Sequence, residues 1–331
     1  MAAPTGRSPA PTTAPAAASA SGRIPDAERF DTGFEEIFYT SRDGLQLYAR
    51  HYRVQNPGPG PARRPAVCIP GITRNSKDFH RLAVALSNDA TRARPVYALD
   101  LRGRGRSEHD PEPKNYAVGV EMIDVLDFLT SRSLSHAAVV GTSRGGLIAM
   151  IMAAVEPSAL GAVVLNDIGP VIEIDGLSRI AGYVGKMPQP LSWADAARLV
   201  KDLNARQFPR IDDGEWLSIA RQLFNETDGR PVASYDPKLA ASLSVLTGKP
   251  PEMWAQFEAL KPVPVMVLRG ENSDLLSAAT VEQMRRRHPN ITAHTVRWEG
   301  HAPFLRDDHT IAVIAKFLAA SDATAVSRSS P

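Results

Sequence analysis

Short apolar runs alternate with stretches of helical spacing over most of the chain. Residues 34–40 and 45–53 are strand-like and flank Ser41-Arg42-Asp43-Gly44; Asp-Gly between two such runs predicts a hairpin. Apolar runs at 66–69, 96–101, 137–140 and 162–165 predict further strands. Between them, helices are expected over about 79–88 and 118–130, the second with Val118, Met122, Val125, Leu126 and Leu129 on one face. Residues 147–155 are apolar and free of proline, and read as a third helix. Such strand–helix alternation predicts an α/β protein, a doubly wound, mostly parallel sheet with helices on both faces.

The alternation stops after Pro170. From 171 to 260 the pattern is helical, with starts at Ser192, at Asp212-Asp213 and at Pro250-Pro251, and no convincing strand. So long a stretch between sheet strands predicts an inserted helical cap. The sheet pattern resumes at 263–268, followed by a helix over about 278–287, a strand over 291–298 and a closing helix over 310–319. The expected organisation is a disordered tail (1–22), core (23–170), cap (171–260), core (261–321) and a flexible tail (322–331). The first tail is almost entirely Ala, Pro, Ser, Thr and Gly, too poor in large apolar surface to offset chain entropy. It also lacks the apolar core of a signal peptide.

Between the apolar run at 137–140 and the helix at 147–155 sits Gly141-Thr142-Ser143-Arg144-Gly145. A Gly-x-Ser-x-Gly turn from strand to helix pushes the serine hydroxyl out of the sheet and aims the first helix amides at the same point. Its glycines are needed because side chains there would collide with adjacent backbone. Ser143 is therefore the candidate nucleophile.

Composition changes little in this picture. Apolar residues make up 43% and charged residues 22% of 331, with a net charge of +2, so nothing suggests a nucleic-acid stripe. The single cysteine, Cys68, lies in an apolar run and reads as a small buried hydrophobe. No run reaches the ~18 apolar residues that a membrane helix requires. The expected compartment is the cytoplasm.

A serine hydroxyl needs a base, and the base an orienting acid. Chemistry in parallel sheets gathers at the carboxyl ends of strands. Of the eight histidines, only His301, in Gly300-His301-Ala302-Pro303, directly follows a well-formed strand. Two acids are credible orienters. Asp274, after the strand at 263–268, is preferred on the chain order Ser…Asp…His. Asp167, after the strand at 162–165, is the rival, with a bland reading as a cap or turn residue. The oxyanion of acyl attack needs two amide donors, expected from Arg144 and from Ile72 beside Gly71; the Arg144 side chain either lines the pocket or pairs with an acid. No His-Glu-x-x-His or Cys-x-x-Cys occurs, and Gly103-x-Gly105 leads to Glu108 where a dinucleotide loop has its third glycine, so neither metal nor cofactor is expected.

Gly141–Gly145, Pro70-Gly71-Ile72, Asp100-x-Arg102-Gly103-x-Gly105-x-Ser107, Asp274 and Gly300-His301-Ala302-Pro303 together resemble the α/β-hydrolase superfamily, and within it the capped esterase, lactonase and C–C-hydrolase branch. The resemblance covers about residues 34–320. It implies that the stretch from Asp100 to Ser107 is a structural turn, and it differs in having Pro70 where that branch often has His. It implies a serine hydrolase of a small or medium carboxylic ester or lactone, a small-molecule partner without nucleic acid or membrane, and leaves a homodimer open. The alternatives are hydrolysis of a C–C bond in a ring-cleavage product, which would need a cap cation such as Arg179, Lys186 or Arg198, and a non-catalytic binding homologue. All three cations read more simply as solvated cap surface. Trp193, Trp216, Trp254, Phe208 and Phe224 are expected mostly to pack the cap itself, with Ile180, Tyr183 and Met187 turned towards the serine.

Overall fold

The computed structural model describes residues 1, 30–55, 57, 63–244 and 250–326. The tail expected at 1–22 lies outside the described residues apart from Met1. Eight strands form one sheet in the order β1-β2-β4-β3-β5-β6-β9-β10. These are β1 (Glu35–Thr40), β2 (Gln46–Tyr52), β3 (Ala66–Ile69), β4 (Val96–Asp100), β5 (Ala137–Thr142), β6 (Leu160–Asn166), β9 (Val265–Gly270) and β10 (Ile291–Val296). β1 and β2 form the expected hairpin, β2 runs antiparallel to β4, and all later pairings are parallel.

Side chains in the parallel strands alternate between two buried faces, as a period of two demands. Val67, Val139, Val163 and Val267 join one apolar cluster, while Cys68, Val140, Val164 and Met266 join the other. Helices α2 (Val118–Ser131) and α3 (Arg144–Val155) cover the first face with α9 (Ala278–Arg287). The second is covered by α1 (His80–Ser87) and α10 (Asp308–Val326). α2 presents Met122, Val125, Phe128 and Leu129, whereas α3 buries residues all round because it lies between the sheet and other helices. α10 runs into the span expected as a flexible tail, where Asp322 pairs with the buried Arg94.

Between β6 and β9 the chain leaves the sheet. This insert carries α4 (Ile174–Tyr183), α5 (Trp193–Asn204), α6 (Asp213–Leu223), α7 (Ala241–Ser244) and α8 (Trp254–Glu258). It also carries a hairpin absent from the sequence-based expectation, β7 (Phe224–Thr227) with β8 (Arg230–Ala233). Its turn is Asp228-Gly229, with φ of +50° and +75°. Two consecutive positive φ values are what a two-residue hairpin turn requires, and Asp-Gly supplies them cheaply. A small core of Val200, Phe208, Trp216, Ile219 and Phe224, with Phe304 from the sheet side, holds α5 against α6. Trp193 packs against that core, whereas Trp254 packs against the main one.

Candidate active site

The carboxyl ends of β5, β6 and β10 deliver three side chains to one point. Ser143 follows β5 with φ +50° and ψ −111°, a conformation unusual for a non-glycine residue and costing on the order of 1–3 kcal/mol. The turn closes only because Gly141 and Gly145 lack side chains. A Cβ on Gly141 would lie 2.5 Å from the Gly145 carbonyl, and one on Gly145 would lie 2.1 Å from the Ile69 oxygen. Either substitution would force backbone apart at the serine.

The Ser143 Oγ lies 2.9 Å from His301 Nε2, and His301 Nδ1 lies 2.8 Å from Asp167 Oδ2. The Asp167 side chain is fully buried and that of His301 is 6% exposed, so this chain of hydrogen bonds is shielded from water. Asp167 also accepts from the Gly270 amide through Oδ1 and from the Ser273 hydroxyl through Oδ2. Its φ of +55° is a left-handed conformation that aspartate tolerates better than most residues. The insert braces the histidine from the other side, because the His301 amide donates to Gln207 Oε1.

The acid facing His301 is thus Asp167, and the expectation of Asp274 is corrected. Asp274 lies four residues beyond β9, and its carboxylate takes a bidentate fork from Arg179 of α4, at 2.6 and 2.9 Å. Burial would raise the Asp274 carboxyl, but the Arg179 fork outweighs it and holds the group below its usual value. The same loop accepts backbone bonds from the start of α4, Gly176 N to Asp274 O and Glu173 N to Leu275 O. Chain order does not separate the two acids, since both fall between Ser143 and His301. The distinguishing feature was adjacency: Asp167 follows the last residue of β6 directly.

The turn after β3 also reaches the serine. A Cβ on Gly71 would lie 3.6 Å from Ser143 Cβ, so Ile72 stands beside the nucleophile, and both Ile72 and Arg144 border the chamber there. The Arg144 side chain pairs with an acid, the fully buried Glu121 of α2. Glu121 also binds Arg104, whose Nε donates to the Ile72 carbonyl at 2.8 Å. Burial alone would raise the Glu121 carboxyl, but the two guanidiniums hold it below its usual value. A buried Arg104–Glu121–Arg144 bridge therefore ties the two candidate oxyanion segments together. The glycine-rich motif marked Arg104 only as part of a turn, and nothing in the pattern marked Glu121 or Gln207.

Two spaces adjoin the Ser143–His301 pair, the first bordered by Ser143 and the second by His301. One, of about 220 Å³, is bordered by apolar side chains including Leu147, Ile168, Ile172, Leu177, Ile180 and Met253. The other, of about 70 Å³, lies on the His301 side and includes Arg74, Tyr183, Met187, Asn204 and Tyr235. Ile180, Tyr183 and Met187 thus face the site. Of the three candidate cap cations, Arg179 is held by Asp274, Lys186 donates to the Ala181 carbonyl, and Arg198 lies 3.6 Å from Asp195 on an exposed surface. Among the described residues no cluster of His, Cys, Asp and Glu could hold a metal ion, and no helix is long and apolar enough to cross a membrane.

Residues 66–315 match the profile of the alpha/beta hydrolase family. The chain is 30% identical to the 3-hydroxybutyrate-oligomer hydrolase of Cupriavidus necator, over 77% of this chain and 88% of that one. It is 28% identical to the 2-(acetamidomethylene)succinate hydrolase of Mesorhizobium japonicum, over 70% of this chain and 79% of that one. Among solved structures, an alpha/beta hydrolase from Novosphingobium aromaticivorans superposes with a TM-score of 0.79 at 36% identity, covering 86% of this chain and 98% of that one.

Proposed function

Since the chain belongs to the alpha/beta hydrolase family and is a hydrolase, we propose that it cleaves carboxylic esters or lactones of small or medium size through Ser143, His301 and Asp167. The observation that carries this reading is the unbroken chain from Ser143 Oγ through His301 to Asp167, with hydrogen bonds of 2.9 and 2.8 Å. Ser143 Oγ attacks the acyl carbon while His301 Nε2 takes its proton. The buried Asp167 carboxylate accepts from His301 Nδ1, which fixes the tautomer that leaves Nε2 free to accept, and it stabilises the imidazolium that forms. The amides of Ile72 and Arg144 hold the oxyanion, the latter at the start of α3 where helix amides favour negative charge. Collapse breaks the bond to the leaving oxygen, which receives the proton from His301. Water then attacks the acyl-enzyme with His301 as base, releasing the acid and restoring Ser143.

The apolar chamber of about 220 Å³ supports a short-to-medium acyl group, and the insert above it supports small molecules over polymers or proteins. The relative from Cupriavidus necator, named for an oligomer of a short hydroxy acid, points to the same size range. Cleavage of a C–C bond has less support, because Arg179, one of the cations that could have held a second carboxylate, is already held by Asp274. The buried free thiol of Cys68 accords with action in the cytoplasm. A fluorophosphonate probe with mass spectrometry is expected to label the peptide carrying Ser143. p-Nitrophenyl esters from acetyl to palmitoyl are expected to give a maximum at short or medium length. Full activity in Ser143→Ala, or a maximum at palmitoyl, contradicts the reading.

A further inference from the structure

The two spaces differ in polarity, the one at Ser143 almost wholly apolar and the one at His301 carrying polar groups among its apolar lining, and the proposed reaction assigns each a half of the substrate. His301 must hand its proton to the leaving oxygen, so the alcohol half sits on the His301 side and the acyl half in the apolar chamber. The His301-side space holds one cation at its wall, Arg74. Its stem begins beside the nucleophile: a Cβ on Gly71 would lie 3.4 Å from Arg74 Cγ and 3.6 Å from Ser143 Cβ. Arg74 Nε donates to Asp78 Oδ2 at 2.5 Å, and its guanidinium carbon lies 4.8 Å from the centre of the Phe304 ring. One edge of the guanidinium is thereby fixed from below. Among the described residues, its Nη1 and Nη2 have no protein acceptor. The Arg74 side chain is 17% exposed, and its carboxylate neighbour Asp78 is already engaged by Gln222 Nε2 as well.

A planar guanidinium with one edge anchored and the other without an acceptor suits bidentate capture of a carboxylate. We propose that Arg74 is a specificity-determining residue that binds a free carboxylate on the leaving alcohol, so that the preferred substrates are esters whose alcohol half is itself a short hydroxy acid. This rests on the serine-hydrolase reading above. It adds to that reading a charge requirement on the leaving group, which the apolar chamber does not supply. The space is small, about 70 Å³, and favours a short alcohol half over a long one.

The test uses two esters with one acyl group, 3-(butanoyloxy)butanoate and its neutral carboxamide. The wild-type protein is expected to favour the anion in kcat/KM by roughly 10- to 100-fold, the range of a charge-assisted pair. Arg74→Met is expected to remove that preference by lowering turnover of the anion far more than that of the carboxamide. Arg74→Lys is expected to retain part of the preference, and carries the test if the Met variant fails to fold. Equal use of the two esters by the wild-type protein overturns the proposal, as does an equal fall for both esters in the Arg74 variants, which marks Arg74 as a structural tie to Asp78. Turnover of the carboxamide that requires Ser143, without preference for the anion, overturns only this inference. Turnover that survives Ser143→Ala, or no turnover of either ester, overturns the function proposed above as well.

Discussion

The turn after β6 and the loop after β9 each end a parallel strand and each present an aspartate, yet they serve different neighbours. Asp167 stands directly at the end of β6, fully buried, and its carboxylate is enclosed by His301, the Gly270 amide and the Ser273 hydroxyl. Asp274 is carried four residues further, to the foot of α4, where Arg179 takes both its oxygens and both side chains remain 27% exposed. The loop after β9 still contributes to the site, but through Gly270 and Ser273 rather than through its acid. Strand-end position alone therefore does not bring an acid to the histidine. What decides is whether the carboxylate lies across the neighbouring strand, in the path of the histidine, or is drawn away by a cation on another element.

The sharpest way to break this comparison is to neutralise each acid in turn. Asp167→Asn is expected to lower kcat by about 10⁴, the cost of presenting the wrong imidazole tautomer, while Asp274→Asn stays near wild type. Steady-state kinetics on one ester decide it; the reverse result would return the role to Asp274. Next in size, Ser273→Ala removes one donor from Asp167 but leaves His301 and Gly270 in place. A loss of roughly tenfold in kcat is expected, in line with one hydrogen bond to a charged acceptor. An unchanged rate would show that the two loops are not coupled through this hydroxyl.

Arg179→Met addresses the other acid. It is expected to cost about 1–2 kcal/mol of stability, discounted for the partial exposure of the pair, with little effect on kcat. Thermal unfolding and kinetics together separate this from a catalytic role, which would lower kcat and spare the melting temperature. The smallest effect is a pH dependence. The Asp274 carboxyl is held below its unfolded value of 3.8, so the tie to Arg179 contributes above that pH and is lost as the pH falls through the lower folded value. The difference in melting temperature between wild type and Arg179→Met is expected at pH 7 and to shrink as the pH falls below 3.8. A difference that persists undiminished in acid would mean that the pair stabilises by packing rather than by charge.

Much of this molecule is legible from residue order because the forces concerned are local. Short apolar runs bounded by turn residues mark the main-sheet strands, and these strands and the core helices fall where the pattern puts them within a few residues, except that the last helix continues to Val326. The elbow at Ser143 is equally local, since its glycines are demanded by backbone contacts within the turn and with β3. His301 is found by the same logic, at the end of a strand. The Asp228-Gly229 hairpin was written in the chain too, but its flanking runs are only four residues each and sit in a helical context.

Other features depend on residues far apart in sequence. Whether Asp167 or Asp274 meets His301 is set by the sheet order β6-β9-β10 and by Arg179 arriving from the insert, and no spacing encodes it. The bridge from Ile72 through Arg104 and Glu121 to Arg144 joins four elements, and the Gln207 contact to His301 joins insert to core. The sequence by itself determined the sheet, the serine and the histidine, because each answers to its immediate neighbours. The tertiary structure alone decided which acid meets His301, the buried bridge and the place of Arg74 beside His301, because a charged side chain takes its role from whichever partner folding brings within about 3 Å of it.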